Sequence, residues 1–345
     1  ACTNCKDKSI EACQNPQCVT ADGAKRGLLT INRQLPGPSI QVCVNDIIVV
    51  DVTNHMDGTA TTIHWHGMTQ KNTPLSDGVP FITQCPIHYG NTFRYIYKAN
   101  DVGTSFYHSH SGLQKSNGIH GAIIVRIPDE AKLHNHDPHD FILVVTFVSP
   151  ALNATVNNIG VINNISIAMP EFALLSEPSK INEEMFCDMT SKLTTRCLPD
   201  TKFCHCVHRI KAKLNSVVDL ILIDIQDGLT HPFHLHGYKF YVMEMGAFDM
   251  NQTTAEKIKH NGIPVNHHLN DKPVHRDTVL IPNKGYVRLR FRADNPGFWF
   301  AHCHFEWHLA IGMGFILQVG ELDDMPKAPE NFAKCHDYLP TNLMP

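Results

Sequence analysis

Residues 302–313 read His-Cys-His-Phe-Glu-Trp-His-Leu-Ala-Ile-Gly-Met, and they decide how the rest of the chain is understood. Cys303 lies between His302 and His304, with His308 five positions on and Met313 five beyond that. In an extended chain, residues i and i+2 share a face, so His302 and His304 present two imidazoles side by side. A thiol, imidazoles and a thioether in this order have no evident structural purpose.

Working outward, the same doublet recurs. The first half of the chain carries His64-Trp65-His66 and then His108-Ser109-His110, and the second half carries His234-Leu235-His236 and then His302-Cys303-His304. Two His-x-His pairs per half, in the same order, indicate a duplicated unit. The chain has 23 histidines in 345 residues, a surplus of neutral imidazoles that calls for a reason.

Strand-like segments dominate between these motifs. Residues 40–52, 93–97, 122–127, 141–148, 217–225, 238–243, 287–291 and 315–319 are rich in β-branched and aromatic residues, many bounded by Gly, Pro, Asn or Asp. Helical periodicity is confined to one short candidate, Thr253–His260. The expected class is all-β, with antiparallel sandwiches or barrels. The polar stretch from Asp129 to Pro138 separates two strand-rich regions, so residues 1–128 and 140–345 are expected as domains and 129–139 as the linker. Its His134, His136 and His139 could chelate a metal, but a solvated linker accounts for them equally.

Imidazole suits copper, zinc, iron and nickel, so ligand type alone leaves the metal open. The stretch around Cys303 narrows it. One Cys, two His and a weak axial Met form a blue-copper electron-transfer site. Here they would be Cys303, His308 and Met313, with His231 of His231-Pro232-Phe233-His234 as the second imidazole. The first half has Ser109 where the second has Cys303, so only the second half can hold such a site.

With these motifs in view, the chain resembles a laccase of the insect type, a multicopper oxidase. The resemblance runs through INRQLPGPSI, TTIHWHG, SDGVP, TQCPIH and YHSHSG in the first half, and INNIS, HPFHLHGY, DNPGFWFAHCHFEWH and IGMGF in the second. It implies two cupredoxin-like Greek-key domains, the second carrying the blue copper and both sharing a trinuclear copper cluster. It assigns His231, Cys303 and His308, with Met313 axial, to the type 1 copper, and His64 and His234 to the type 2 copper. It gives His66, His108 and His304 to one type 3 copper, and His110, His236 and His302 to the other. Four coppers per functional unit follow, with one-electron oxidation of a phenolic substrate near His308 coupled to reduction of O2 to water. Asp77, in SDGVP, stands where the family has a carboxylate assisting proton delivery; a turn-forming Asp-Gly is the other reading. Glu306 could accept the phenol's proton, or be a surface charge.

The resemblance also marks a departure. Laccases of this type have three cupredoxin domains. Here first-domain motifs run to about residue 128 and third-domain-like sequence begins near residue 140, so the middle domain is missing. All the copper ligands remain, because the family takes them from domains one and three. A linker of roughly ten residues spans at most about 35 Å. The domains could pair within one chain or between chains, which makes the expected state a monomer or a homotrimer.

Eight of the twelve cysteines cluster, at Cys2, Cys5, Cys13 and Cys18 and at Cys187, Cys197, Cys204 and Cys206, which reads as disulfides in an oxidising compartment. Sequons at Asn153, Asn164 and Asn251, and a start (Ala1-Cys-Thr-Asn-Cys5) without signal-peptide character, point to a secreted mature protein. The family resemblance pairs Cys85 with Cys335. Cysteine parity then leaves one thiol over, with Cys43 the candidate; Cys204-His205-Cys206-x-His208 could alternatively bind zinc. A formal net charge of −4 argues against nucleic acid or an anionic membrane as partner, and no apolar run reaches the roughly 18 residues of a membrane span. A metal oxidase acting on Fe(II) or Cu(I), and a non-catalytic copper-binding protein, are the competing functions.

Overall fold

Alternation between buried and exposed side chains builds the sheets. In a computed structural model of the protein, the described residues are 27–128, 165–187, 204–224, 229–247 and 272–335. The first half contains β1 (Gly37–Cys43), β2 (Ile47–Thr53), β3 (Ile63–Trp65), β4 (Thr92–Lys98), β5 (Gly103–Ser109) and β6 (His120–Arg126). Along β4, Phe93, Tyr95 and Tyr97 point inward while their neighbours are exposed, the period-2 pattern of a half-buried strand. One sheet runs β1-β6-β5-β3 and packs with the β2-β4 pair over a core that includes Trp65, Tyr95, Tyr97 and Ile123. β1 and β6 pair in parallel although they open and close the unit, so the chain crosses over instead of running as a simple meander.

The second half has β7 (Ile165–Ile167), β8 (Phe186–Cys187), β9 (Cys204–Ala212), β10 (Val217–Ile223), β11 (His231–Leu235), β12 (Phe240–Ala247), β13 (Val274–Arg276), β14 (Thr278–Ile281), β15 (Gly285–Arg292), β16 (Gly297–Cys303) and β17 (Gly314–Val319). A sheet β10-β15-β12-β13 faces a sheet β14-β11-β16-β17-β9-β7 across a second core centred on Phe240, Leu289, Trp299 and Leu317. A short helix, α1 (Glu306–Ala310), follows β16. The class is all-β with two cupredoxin-like sandwiches, as expected.

The duplication extends to the turns. Asn45, at φ 75°, takes a backbone bond from its N–H to the Ala99 carbonyl, and the Ala99 N–H returns to Asp46. Asn215, at φ 66°, does the same with Ala293, which returns to Ser216. Asn tolerates this left-handed conformation better than most residues. The strand pairs β2-β4 and β10-β15 are also each clipped by a bidentate pair, Arg94 on Asp51 and Arg290 on Asp219.

The Asn45 turn corrects one expectation. Residues 40–52 form two strands instead of one, because Asp46 accepts the Cys43 N–H and folds the chain back between β1 and β2. The candidate strand 141–148, the candidate helix Thr253–His260, the 129–139 linker with its three histidines, and the asparagines of all three sequons lie outside the described residues.

The halves meet through a shared core. Val79 and Ile82 from the first half pack with Leu174, Phe186, Phe298 and Phe300 from the second. A disulfide joins Cys85 to Cys335, as the family resemblance implied, and a second joins Cys187 to Cys206, which takes Cys206 out of a zinc site. Cys43 is an exposed free thiol and Cys303 a buried one.

Candidate metal centre

Each His-x-His pair sits where a strand ends, with its first histidine in the ladder and its second in the turn beyond. His64 closes on His108 across β3 and β5, and His234 on His302 across β11 and β16. The two halves thus present the same cross-strand histidine pair. Period 2 puts both histidines of each doublet within a strand; all four strands instead stop one residue after the first. The rings of each doublet nevertheless stay close, with centroids 4.6–6.0 Å apart.

The clusters draw on both halves. Ligand atoms of His64, His66 and His234 come within 4.8 Å of one another, as do those of His66, His108 and His304, and those of His110, His236 and His302. A fourth group combines His231, Cys303 and His308. In it, the Cys303 sulfur lies 3.4 Å from His308 Nδ1 and 3.7 Å from His231 Nδ1, and those two nitrogens are 3.2 Å apart. Met313 closes this group through the backbone, its N–H donating to the His308 carbonyl and its carbonyl accepting the Cys303 N–H.

The outer hydrogen bonds fix which nitrogen of each ring is free. The Nδ1–H of His64 donates to the Asp77 carbonyl (2.8 Å), that of His108 to Ser109 (2.9 Å), that of His234 to Asp277 (3.0 Å) and that of His302 to Cys303 (3.0 Å). His236 donates Nδ1–H to the Asp77 carboxylate at 2.9 Å. An oxygen that only accepts holds the proton on Nδ1, so Nε2 carries a bare lone pair. Those lone pairs then face each other: His64 against His234 at 3.4 Å, and His236 against His302 at 3.1 Å. His110 Nε2 lies 3.3 Å from His302 Nε2. In addition, His108 Nε2, His304 Nε2 and His66 Nδ1 are buried without a hydrogen-bond partner.

Buried acceptors that confront one another are costly unless a cation lies among them. Burial also holds His108, His110, His234, His236, His302 and His304 well below the usual imidazole pKa, which keeps them neutral and able to ligate. Without a metal, burial pushes the Cys303 thiol up to about 11. The donor set fits transition-metal ions, with thiolate character confined to the Cys303 group.

Asp77 is fully buried, touching His236 through one carboxylate oxygen and lying 3.3 Å from His64 Nδ1 through the other. Gly78 follows it at φ +79°, where a Cβ would collide with the Ile63 carbonyl and the His64 amide nitrogen. The Asp-Gly turn therefore also serves the site. Glu306 is 9% exposed, and its carboxylate accepts the Ser116 N–H across the junction of the halves. It is therefore a buried carboxylate and not a surface charge.

Two groups at the site escaped the sequence reading. Asp277 and Thr278 hold His234, and they also hold His66 from the other half, with Thr278 Oγ1 at 3.1 Å and Asp277 Oδ1 at 3.5 Å from His66 Nε2. Lys115 lies 3.2 Å from His304 Nδ1. Neither group sits in a spaced motif. The β11–β14 register, which sets His234 opposite Thr278, is what brings Asp277 and Thr278 in.

Comparison with known proteins follows the same division. A family model described as multicopper oxidase matches residues 12–130, and a second of the same description matches residues 177–323. The chain is 47% identical over 113 residues to oxidoreductase OpS5 of Beauveria bassiana, covering 33% of this chain and 19% of that protein. It is 22% identical to Laccase-2 of Botryotinia fuckeliana over 504 aligned residues, an alignment longer than the chain itself, covering 94% of this chain and 85% of that one. Among solved structures, Fet3p, a multicopper oxidase that functions in iron import, superposes with a TM-score of 0.64 at 19% identity, covering 88% of this chain and 89% of that one. The last likeness is one of fold.

Proposed function

The chain belongs to the multicopper oxidase family, and from that premise we propose that it is a secreted, laccase-type oxidase of phenolic substrates with O2 as acceptor. The observation that carries the reading is the set of mutually facing, buried histidine lone pairs joined through Cys303 to a separate thiolate group. The family implies copper. His231, Cys303 and His308 would hold the type 1 ion with Met313 axial, and His64 and His234 the type 2 ion. His66, His108 and His304, and His110, His236 and His302, would hold the type 3 pair. Copper there would supply one-electron oxidation of the substrate and four-electron reduction of O2 to water.

The protein's own groups prepare that chemistry. The main chain of Cys303 connects directly to His302 and His304, which gives a short covalent path between the two centres. Asp77 and Asp277 set imidazole tautomers from opposite halves, and Asp77 is the carboxylate best placed to pass a proton at the cluster. Glu306 holds the Ser116 turn, a positioning role in place of accepting the phenol's proton. All four groups assemble within a single chain, which supports a monomer. The long alignment with Laccase-2, and family matches that stop at residue 130 and resume at residue 177, support a missing middle domain. Buried disulfides support secretion.

The test is reconstitution with copper. The loaded protein should be blue, bind four coppers per chain and consume O2 with hydroquinone. Oxidation of Fe(II) without hydroquinone would replace the laccase reading by a metal oxidase; a blue protein that consumes no O2 would reduce it to a copper-binding one. Mass measurement at low concentration separates monomer from homotrimer.

A further inference from the structure

We propose that Phe305 is a substrate-contact residue that selects aromatic electron donors at the His308 edge, an inference that rests on the oxidase reading above. His308 turns Nδ1 toward Cys303 Sγ at 3.4 Å, so the far edge of its half-buried ring points away from the thiolate group. Phe305 lies beside it, with ring centroids 5.0 Å apart and planes inclined by 32°. The Phe305 side chain is 46% exposed. A single exposed apolar residue is ordinary on a protein surface. This one, however, touches the ring through which electrons would enter.

Its place in the backbone is a second observation. Phe305 is the N-cap of α1 and makes no side-chain capping bond. Ser, Thr, Asp or Asn is the usual choice there, because its oxygen satisfies a free helix N–H. A phenyl ring at this position gives up that bond and stays in water.

The chemistry of the surroundings favours an aromatic ligand over a metal ion. A cation would need exposed oxygen donors. Among the described residues, the two carboxylates beside these ligands are Asp224, 8% exposed and 3.9 Å from His231 Nε2, and Glu306, 9% exposed and engaged by Ser116. Phe305 instead offers a π face to an electron-rich ring whose hydroxyl reaches the free edge of His308. Each encounter removes one electron and one phenolic proton from the donor, the proton passing to water. Four encounters match the four electrons and four protons taken up as O2 becomes two waters.

The test uses copper-loaded protein, hydroquinone as aromatic donor and ferrocyanide as non-aromatic donor. Phe305→Ala should raise KM for hydroquinone roughly three- to tenfold relative to its effect on ferrocyanide, the loss of one aromatic contact, and Phe305→Trp should restore it. Independently of turnover, 4-nitrophenol should show saturation-transfer NMR signals with wild type and Phe305→Trp that weaken with Phe305→Ala. Equal changes for both donors, or undiminished 4-nitrophenol binding, would overturn the assignment while leaving the oxidase reading intact. Wild-type protein that oxidises ferrocyanide but never hydroquinone would overturn the laccase reading and Phe305 with it.

Discussion

His64 and His234 confront each other Nε2 to Nε2 at 3.4 Å across a sequence separation of 170 positions. Both Nδ1 protons are engaged by backbone carbonyls, so neither ring can donate to the other without giving up that bond. The metal-free protein therefore holds a repulsion that a cation removes. Copper should stabilise the fold, by about 2.7 kcal/mol at a free concentration a hundredfold above Kd. Thermal melts with copper and with a strong chelator should differ by several degrees. Coincident melts would count against the cluster.

Cys303→Ser tests the division between the two centres. The blue absorption should vanish, because it requires the thiolate, while the histidine cluster keeps its metal. Copper per chain should fall by one, and hydroquinone oxidation should fall to background. A variant that loses all its copper would show that the four groups do not load independently.

Asp77→Ala removes the acceptor of His236 Nδ1–H and a neighbour of His64. Loss of such an outer-shell partner costs about 10–100-fold in metal affinity. Competition with a chelator of known affinity should show that loss in the cluster while the blue band is retained. Asp77→Asn, which keeps an accepting oxygen, should lose less.

Glu177 links acidity to the clasp between the halves. Its buried carboxylate accepts the N–H groups of Cys335 and Ala173 and pairs with Lys180. Burial alone would raise its pKa, but Lys180 and those N–H groups together bring it below the usual value. A depressed folded-state pKa means stability that is present above the ordinary glutamate value, about 4.3, and is lost as pH falls through the folded value. Glu177→Gln should therefore cost about 1–3 kcal/mol at pH 7, with the gap to wild type closing in acid below that range. Urea midpoints at neutral and acid pH would check it. A gap of constant size would assign the effect to shape and not to charge.

The ligands were legible because metal sites impose spacing. His302, Cys303, His304, His308 and Met313 lie within one short segment, and the doublets announce themselves by period 2. The strands that bear them were harder to find: β3 is three residues long and β11 contains a proline, so neither has the β-branched pattern of β2 or β10. Asp277 and Lys115 were invisible for a different reason. They reach His66 and His304 by long-range pairing of the two halves, across 211 and 189 positions, and no local pattern encodes that distance. Glu306 was seen but its burial was not, since a charged residue at the start of a helix reads as exposed until the opposing turn at Ser116 is in place.

The bridge between Cys85 and Cys335 closes a ring across a sequence separation of 250. Both chains of a molecule cut once inside that ring would remain tethered, so proteolytic nicking would open the loop without releasing a fragment. Such a molecule would migrate as one species until a reductant was added, and as two afterwards.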